Sequence, residues 1–300
     1  MNELSDIILM SILEEVKVLK YWILFGLLLL VITYLYIQNN LLIHTTYKLS
    51  LPRAHSKLKD KKIVFFSDTH FRNQNSHSFY DRLIDEIEAL EPDLILFGGD
   101  IVHASSTEMA VEHAKDFFFQ IGKIAPCHVV YGNHDMESSR MSELQTVLKI
   151  TGVNVLDNEA TWVSFGPSSV GFWLMGLSEY QSSLQIKSDV LSKISLPKEG
   201  SDAPKILLAH HPQYFEKYLA DEDKRPDLVL SGHTHGGQVV LPLVGGLFAP
   251  GQGVNPKFDF GIFNSEKYPS SRLILTKGVG NSTFPFRVNN RPELVTIEFE

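Results

Sequence analysis

The spacing of apolar and polar positions changes character near the middle of the chain. In the first half, short continuous apolar runs alternate with segments of helical periodicity, which predicts buried strands separated by helices. The strands are predicted at 63–66, 94–97 and 129–131. The helices are predicted at 77–90, 108–121 and 141–150, with Pro92 and Gly152 as stop signals for the first and last.

From residue 153 onward the apolar runs follow one another with turn residues between them, which predicts a region richer in strands. Strands are predicted at 153–156, 161–165, 170–177, 206–209, 228–230 and 272–276, with a short helix at 213–221. The last segment, 293–300, alternates and predicts a closing strand that is partly exposed. The whole pattern predicts an α/β domain in which two mixed β-sheets pack together with helices outside them.

A nearly uninterrupted apolar run at residues 21–37 precedes the first predicted strand of the domain. Its length is at the lower limit for a membrane span, and aromatic residues stand near both of its ends. A buried helix of the domain and a cleaved signal peptide are the alternatives. No small-x-small motif follows the run, so an uncleaved anchor is favoured over a signal peptide. We therefore expect an N-terminal extension (1–20), a transmembrane anchor (21–37), a linker (38–60) and one domain (61–300).

The positive-inside rule gives nearly equal support to the two orientations of this single-pass anchor. Lys17 and Lys20 lie immediately before the span, whereas Lys48, Arg53 and Lys57 lie farther behind it. Proximity slightly favours a cytoplasmic N-terminus, which would place the domain on the extracytoplasmic side of the cell membrane.

The composition excludes several classes of protein. With 44% hydrophobic and 21% charged residues, the chain has the composition of a folded protein, and the residues after the anchor suffice for one large domain. The net charge of -8 argues against a nucleic-acid partner. A single cysteine, Cys127, excludes an intramolecular disulfide and a cysteine-based metal site. The oligomeric state stays open.

Polar clusters follow five of the predicted strands at the point where each strand ends. In open α/β sheets, ligands bind at the carboxyl ends of strands, so these clusters are expected to converge. The candidate side chains are Asp68, His70, Asp100, Asn133, His134, His210, His233 and His235. Oxygen and imidazole donors without thiolates suit Mn²⁺, Fe or Zn²⁺ better than Ca²⁺. The donors are too many for one tetrahedral ion, whereas two ions sharing a carboxylate would use them, as in two-metal phosphate-ester hydrolysis.

The order and approximate spacing of these motifs resemble the calcineurin-like metallophosphoesterases. The resemblance rests on Asp68-x-His70, Gly99-Asp100, Gly132-Asn133-His134-Asp135, His210 and Gly232-His233-x-His235, and it spans residues 63–300. The run 232–238, the segment 277–282 with Arg287, and the apolar N-terminus resemble the membrane-associated branch of the family. That branch includes bacterial UDP-2,3-diacylglucosamine pyrophosphatase-like proteins.

The resemblance implies two divalent ions, with Mn²⁺ as the first expectation and Fe or Zn²⁺ as alternatives. The implied ligands of the first ion are Asp68, His70 and His235. The implied ligands of the second ion are Asn133, His210 and His233. Asp100 would bridge the two ions, a hydroxide held between them would attack phosphorus, and His134 would be the general acid at the leaving oxygen.

Three further expectations concern residues around this set. Many relatives have an acidic residue at the position of His103, so the group that tunes His134 is left open. His210 is preferred to His211 as a ligand because Pro212 stands two residues after it. Arg72, Arg140, Arg272 and Arg287 are either surface charges or groups that hold substrate phosphate, since a guanidinium matches phosphate geometry, and Arg287 is the preferred candidate.

The substrate is the most open part of the prediction. The loop 241–250 carries five large apolar residues, which would either contact an acyl chain or the bilayer, or pack on the domain itself. The leading hypothesis is a membrane-anchored, metal-dependent phosphoesterase acting on a phosphate ester or pyrophosphate of a lipid-linked substrate. The alternatives are a phosphodiesterase or phosphatase for soluble nucleotides or cell-wall phosphates, and a non-catalytic binding scaffold on the same fold.

Overall fold

The protein is described here by a computed structural model. The described residues are 3–52, 58–72, 77–166, 170–178, 190–197, 202–281 and 284–300. Their α-helices are α1 (Glu3–Asn40), α2 (His77–Ala89), α3 (Glu108–Ile124), α4 (Asn133–Glu137), α5 (Met141–Ile150) and α6 (Phe215–Tyr218). Short 3₁₀ turns occur at Val190–Lys193, Pro212–Tyr214 and His235–Gly237.

The strands fall into two large sheets and two small hairpins. Those before residue 200 are β1 (Ile43–Leu49), β2 (Lys62–Phe66), β3 (Leu94–Phe97), β4 (Cys127–Val129), β5 (Asn154–Val155), β6 (Glu159–Ser164) and β7 (Gly171–Leu177). The next are β8 (Lys205–Ala209), β9 (Leu228–Ser231), β10 (Val240–Leu241), β11 (Gly245–Gly246) and β12 (Phe248–Ala249). The last are β13 (Gly253–Val254), β14 (Gly261–Asn264), β15 (Arg272–Leu275) and β16 (Glu293–Phe299).

Both large sheets are mixed and each has six strands. The first sheet has the order β1-β16-β2-β3-β4-β5, and the second has the order β14-β15-β9-β8-β7-β6. In the first, β2 to β5 run parallel, and in the second β7, β8, β9 and β15 run parallel. The predicted fold class, two packed mixed sheets with helices outside, is therefore confirmed.

The alternation of side chains in β2 illustrates how the layers are held together. Ile63 and Phe65 belong to the core between the two sheets, whereas Val64 and Phe66 pack under the helices that cover the first sheet. All four are completely buried. A strand with both faces covered has no polar face, which explains the continuous apolar run in the sequence.

The predicted linker at 38–60 is wrong in part, because it contains strand β1. Residues 43–49 pair in parallel with β16, and Leu49, Leu51 and Leu58 are buried in the core between the sheets. As a consequence β16 lies between β1 and β2 and is mostly buried rather than a partly exposed edge. Residues 53–57 of the predicted linker lie outside the described residues.

Helix α1 is longer than the predicted anchor. It continues without a break from the predicted extension into the apolar run, whereas residues 1–2 lie outside the described part of the chain. Its residues 7–40 are long and apolar enough to cross a membrane and are largely exposed. The helix ends beside β16: the Arg291 Nε–H donates to the Leu41 carbonyl at 2.9 Å, and its guanidinium also contacts the Leu42 carbonyl.

Candidate metal centre

The loops that carry the polar clusters meet at one edge of the two sheets. They follow β2, β3 and β4 of the first sheet and β8 and β9 of the second. Within each sheet these strands are parallel, so their carboxyl ends point the same way. Five segments that are distant in sequence therefore deliver the predicted side chains to one buried cluster.

Several of these residues have an unusual backbone conformation. Asp68, His70, Asp100, His233 and His235 have φ between 45° and 77°, the left-handed region that is uncommon for non-glycine residues. Such conformations persist only where the surrounding structure enforces them, and they concentrate at functional sites. The tight turns aim carboxylate and imidazole groups inward immediately after each strand.

Glycines allow the loops to approach each other closely. A Cβ atom on Gly132 would lie 2.2 Å from Asp100 Oδ1, and one on Gly232 would lie 2.2 Å from Ser67 Oγ and 2.4 Å from Asp68 Oδ2. No side chain larger than hydrogen fits at either position without displacing a carboxylate of the cluster.

Three groups of side chains place their donor atoms within metal-binding range of one another. They are Asp68, His70 and His235; His70, Asp100 and His134; and Asp100, His210 and His233.

The distances within these groups connect them into one cluster. The Nε2 atoms of His70 and His235 are 3.1 Å apart, and they lie 3.7 Å and 3.5 Å from Asp68 Oδ1. Asp100 Oδ2 is 3.5 Å from His70 Nε2 and 3.1 Å from His210 Nε2. The Asp100 carboxylate therefore stands between the two sides of the cluster.

Backbone carbonyl groups fix the orientation of two imidazoles. The Nδ1–H of His210 donates to the Gly98 carbonyl at 2.8 Å, and that of His235 donates to the Gly280 carbonyl at 3.3 Å. A proton on Nδ1 leaves the Nε2 lone pair facing the cluster, which is the usual outer-shell arrangement of metal-binding histidines.

The chemistry of the donor set fits divalent ions. Within the described residues, the buried Asn133 Oδ1 and His233 Nε2 atoms have no hydrogen-bond partner. Buried polar atoms are rarely left unsatisfied, so both are free to coordinate a cation. The Nε2 atoms of His70 and His235 lie at hydrogen-bond distance, 3.1 Å, and a cation beside them would use the lone pairs of both rings.

The pKa shifts reinforce this interpretation. Burial lowers the pKa of His233 and His235, the latter to about 3, so both rings are neutral and can act as ligands. Burial would raise the pKa of Asp100, but the neighbouring imidazoles, His210 foremost, hold it well below its ordinary value. Burial would lower the pKa of His210, yet the carboxylates of Asp100 and Asp68 raise it to about 10. Without ions His210 is therefore the cation beside these carboxylates, and a bound ion would take the place of its Nε2 proton. The negative charge of the two aspartates thus calls for a positive partner.

His134 lies at the border of the cluster and is only partly buried. Its backbone N–H donates to Asp100 Oδ1 at 2.9 Å, and its Nδ1 accepts the N–H of Ala104 at 3.3 Å. Because Nδ1 is an acceptor, the proton of the neutral ring resides on Nε2. The ring of His103 lies beside that of His134, with centroids 4.8 Å apart. Burial and the charge of Arg72 lower the pKa of His103 to about 4, so it is no substitute for an acidic partner.

The family follows from comparison with known proteins. A model of the calcineurin-like phosphoesterase family matches residues 61–237. The chain belongs to the calcineurin-like phosphoesterase family. This membership makes it a metal-dependent phosphoester hydrolase, and the family implies divalent ions.

Named relatives agree with the family. The chain is 31% identical to the Escherichia coli phosphodiesterase YaeI over 239 residues, covering 79% of this chain and 81% of that protein. It is 27% identical to a zebrafish (Danio rerio) transmembrane protein with a metallophosphoesterase domain, covering 80% of this chain and 53% of that protein. Among solved structures, TT1561 of Thermus thermophilus is similar, with 12% identity, a TM-score of 0.48, and coverage of 73% of this chain and 90% of that one.

This calcineurin-like phosphoesterase has an open cleft over the cluster, with a volume of about 530 Å³. Asp100, His134 and His233 form its polar side, and Phe248 and Phe284 contribute an apolar side. A second cavity of about 310 Å³ adjoins His70 on the side of helix α1. All eight predicted side chains lie in or beside the cleft, whereas Arg287 does not line either cavity.

The placement of Arg287 argues against the predicted contact with substrate phosphate. Its side chain is completely buried, and its guanidinium donates to the carbonyl groups of Lys277, Gly278 and Gly280. A further hydrogen bond joins its Nε–H to Asn281 Oδ1 at 3.0 Å. All of these hydrogen bonds lie inside the protein. The guanidinium therefore stabilises the loop that carries Gly278 and Gly280, behind His235.

Asp135 stands next to His134, and its role was not predicted from the sequence. Its carboxylate accepts the N–H groups of Gly132 and Val102, both at 2.9 Å, and so ties the loop after β4 to the loop after β3. Complete burial and the nearby Asp100 raise the pKa of Asp135 to about 7. The signal available in the sequence was a carboxylate beside a functional histidine in a motif that already contains the ligands.

Proposed function

We propose that the protein is a membrane-anchored phosphodiesterase that uses two divalent ions to hydrolyse a phosphate ester or pyrophosphate of a lipid-linked substrate. The observation that carries the two-ion part is the position of Asp100. Its Oδ2 atom stands between His70 and His210, so one carboxylate can serve ligand sets on both sides. Two-metal sites commonly share a group in this way.

The residues divide into two sets around Asp100. One ion would be held by Asp68, His70 and His235. The other would be held by Asn133, His210 and His233. Imidazole-rich sets with a few oxygen donors support Mn²⁺, Fe or Zn²⁺, and we propose Mn²⁺ as the first ion to test.

The ions, when bound, would neutralise the phosphoryl oxygens and make water nucleophilic at neutral pH. A side chain of the protein supplies the proton for the leaving group. The Ala104 amide on Nδ1 of His134 keeps a proton on Nε2, and this N–H is the donor proposed for the departing oxygen. Such assistance to a leaving group contributes roughly 10²- to 10⁴-fold in rate.

The proposal of an amphiphilic substrate rests on the surroundings of the cleft. Phe248, Pro250 and Phe284 line it together with several of the proposed ligands, so the cleft offers apolar surface as well as a phosphate-binding side. Helix α1 supports attachment to a membrane, with the domain proposed on the extracytoplasmic side of a single-pass anchor. Known proteins similar to this chain include a phosphodiesterase and a transmembrane protein with a metallophosphoesterase domain, which fits both parts of the proposal.

A substrate screen on the full chain in lipid nanodiscs would test this function. The protein would be loaded in turn with Mn²⁺, Fe²⁺ and Zn²⁺, and offered UDP-linked diacylated lipids, nucleotides and bis(p-nitrophenyl) phosphate. His134→Asn serves as the inactive variant. His113→Asn is the matched control, because His113 lies on helix α3 outside the cleft.

We expect metal-dependent hydrolysis that favours the lipid-linked compounds and that is lost in His134→Asn but kept in His113→Asn. Efficient cleavage of small phosphodiesters together with no cleavage of any lipid phosphate would refute the lipid part. Equal activity in His134→Asn and His113→Asn would refute the assignment of His134 to the catalytic site.

A further inference from the structure

The hairpin formed by β10 and β11 exposes apolar side chains at its tip. Leu243 is fully exposed and Val244 is mostly exposed. Leu243 also has a φ of 67°, a conformation in which glycine or asparagine is the ordinary choice. A leucine in this position contributes nothing to the core, so its apolar side chain is available to an external contact.

Two further segments also expose apolar side chains. In the hairpin of β12 and β13, Phe248 and Val254 are direct cross-strand partners, and both are exposed. After residue 283, Phe284 and Phe286 are about half exposed, with their rings 6.1 Å apart. We refer to the following side chains as the apolar rim: Leu243, Val244, Phe248, Val254, Phe284 and Phe286.

Asn289 joins the rim to helix α1. The Tyr34 hydroxyl donates to Asn289 Oδ1 at 2.7 Å and accepts the Asn289 backbone N–H at 3.0 Å. The Asn289 amide in turn donates to the Val240 carbonyl, at the base of the first hairpin, at 3.2 Å. The hairpin is thus fixed to the helix at residue 34, which lies inside the apolar run at 21–37.

This connection places the base of the first hairpin at a known level of the helix. At about 1.5 Å of rise per residue, Tyr34 lies about 4–5 Å before the end of the apolar run. Amphipathic elements bound at a membrane surface typically reach about 5–10 Å into the boundary between headgroups and acyl chains. A hairpin fixed at this level therefore begins at the membrane surface.

The rim also borders the cleft. Phe248 and Phe284 belong both to the rim and to the lining of the cleft, which they share with Asp100 and His134. A partner that covers the rim would consequently meet the mouth of the cleft. Large apolar side chains that are exposed beside a cleft mark contact with another molecule or with a membrane.

We propose that the apolar rim inserts into the surface of the lipid bilayer crossed by helix α1, so that the cleft opens at the headgroup level. This inference rests on the anchoring part of the proposed function, and it adds a second, peripheral membrane contact. A substrate whose phosphate lies in the headgroup region would then reach the cluster without leaving the bilayer.

Site-directed spin labelling of the full chain in nanodiscs would test the insertion. Three variants, each with one added cysteine, would be labelled: Leu243→Cys in the rim, Leu28→Cys in helix α1, and Ile150→Cys at the exposed end of helix α5. Cys127 is buried and so is not a competing labelling site. The collision rates of each label with oxygen and with a water-soluble nickel chelate report depth in the bilayer.

We expect the label at residue 243 to lie between the other two, favouring oxygen over the nickel chelate several-fold more than the label at residue 150 but less than the label at residue 28. A label at residue 243 that meets the nickel chelate as freely as the one at residue 150, with residue 28 protected, would overturn the insertion and leave the proposed function intact. If residue 28 is itself open to the chelate, the anchor fails, and the proposal fails with it.

An activity measurement separates the rim from the chemistry. In Leu243→Asp with Val244→Asp, turnover of a bilayer-embedded phosphodiester lipid should fall about tenfold, because charged side chains oppose insertion. Hydrolysis of bis(p-nitrophenyl) phosphate should be unchanged, since neither residue lines the cleft. An equal loss with both substrates, or no loss with either, would contradict the proposed membrane contact.

Discussion

Arg287 and His235 share the carbonyl oxygen of Gly280, which accepts hydrogen bonds from the guanidinium of one and from the Nδ1–H of the other. Arg287 reaches this oxygen from inside the protein, and His235 reaches it from the cluster. The same guanidinium donates to the carbonyls of Lys277 and Gly278. The arginine therefore acts on the metal centre through the loop that holds His235, and not through the substrate.

Replacing Arg287 should accordingly impair metal binding and folding. Arg287→Ala leaves buried carbonyl groups unsatisfied and creates a cavity, which should lower the free energy of unfolding by about 3 kcal/mol. We expect a lower Tm and a metal affinity about tenfold weaker or worse, since outer-shell partners of metal ligands commonly contribute roughly 10- to 100-fold. Thermal melts and metal titrations measure both quantities.

Arg287→Lys keeps the positive charge but loses the planar, forked guanidinium. Its Tm and metal affinity should therefore lie between those of the wild type and those of Arg287→Ala. A raised KM with unchanged Tm and metal affinity would instead support substrate binding.

His134 should matter most when the leaving group is poor. In His134→Asn the donor at Nε2 is lost, and kcat should fall about 10²- to 10⁴-fold for alkyl phosphodiesters. For nitrophenyl esters the departing oxygen is already stable, so the loss should be smaller. A plot of rate against leaving-group pKa would therefore be steeper for the variant. Equal losses across leaving groups, or a loss of bound metal by elemental analysis, would assign His134 to another task.

Removal of the ions should destabilise the fold. Two buried carboxylates stand among imidazoles in this cluster, and a ligand that binds only the native state stabilises it by about 2.7 kcal/mol at a hundredfold excess over Kd. Dialysis against a chelator should lower the Tm by several degrees, and Mn²⁺ should restore it. In Asp100→Asn the chelator should have a smaller effect, because this change removes the carboxylate proposed to serve both ions. An equal chelator effect in that variant would argue against the shared role.

The position of the site could be predicted from the sequence because parallel strands impose it. Asp68, Asp100 and Asn133 follow three parallel strands of one sheet, and His210 and His233 follow two parallel strands of the other. Once those strands were recognised, convergence at their carboxyl ends was a consequence of topology. Burial of both faces of β2 was equally visible, as an uninterrupted apolar run.

Features that depend on long-range contacts could not be predicted from the sequence. Strand β1 alternates between half-buried and exposed positions as far as Lys48, and only its pairing with β16, at the far end of the chain, makes it a strand. Arg287 resembles a phosphate-binding residue by type alone, whereas its burial depends on how the loop that carries Gly278 and Gly280 folds behind His235. The amide of Ala104 as a partner of His134 carries no side-chain signal at all.

Gly232 provides a steric test of how tightly the loops are assembled. In Gly232→Ala the added Cβ would lie 2.2 Å from Ser67 Oγ and 2.4 Å from Asp68 Oδ2, so the Asp68 loop must move. We expect activity to fall at least about 10²-fold, because misplacement of catalytic groups by about 1 Å has effects of this size.

The matched control is Gly253→Ala, where no atom lies within 4 Å of the new Cβ but φ is 79°. This control should lose about 1 kcal/mol of stability and keep its activity. Full metal content and activity in Gly232→Ala would show that the loops are looser than described.

The stability of the protein in acid should depend on His128, on strand β4. Burial lowers the pKa of His128 to about 4, from 6.5 in the unfolded chain, and within the described residues its Nδ1 has no hydrogen-bond partner. Between these two values the unfolded chain binds more protons than the folded one, so stability falls as the pH is lowered from 6.5 towards 4. The contribution amounts to about 3 kcal/mol once both states are protonated.

His128→Leu should therefore flatten the pH dependence of the free energy of unfolding. Relative to the wild type, the variant should gain about 3 kcal/mol between about pH 7.5 and pH 4, because a neutral side chain binds no proton in either state. Denaturant titrations in the presence of a chelator would measure this without a contribution from metal release. His128→Gln should flatten the profile equally while differing from His128→Leu in absolute stability, which separates the proton linkage from packing. If both variants retain the wild-type slope, His128 is protonated in the folded protein and its burial is less complete than the structure indicates.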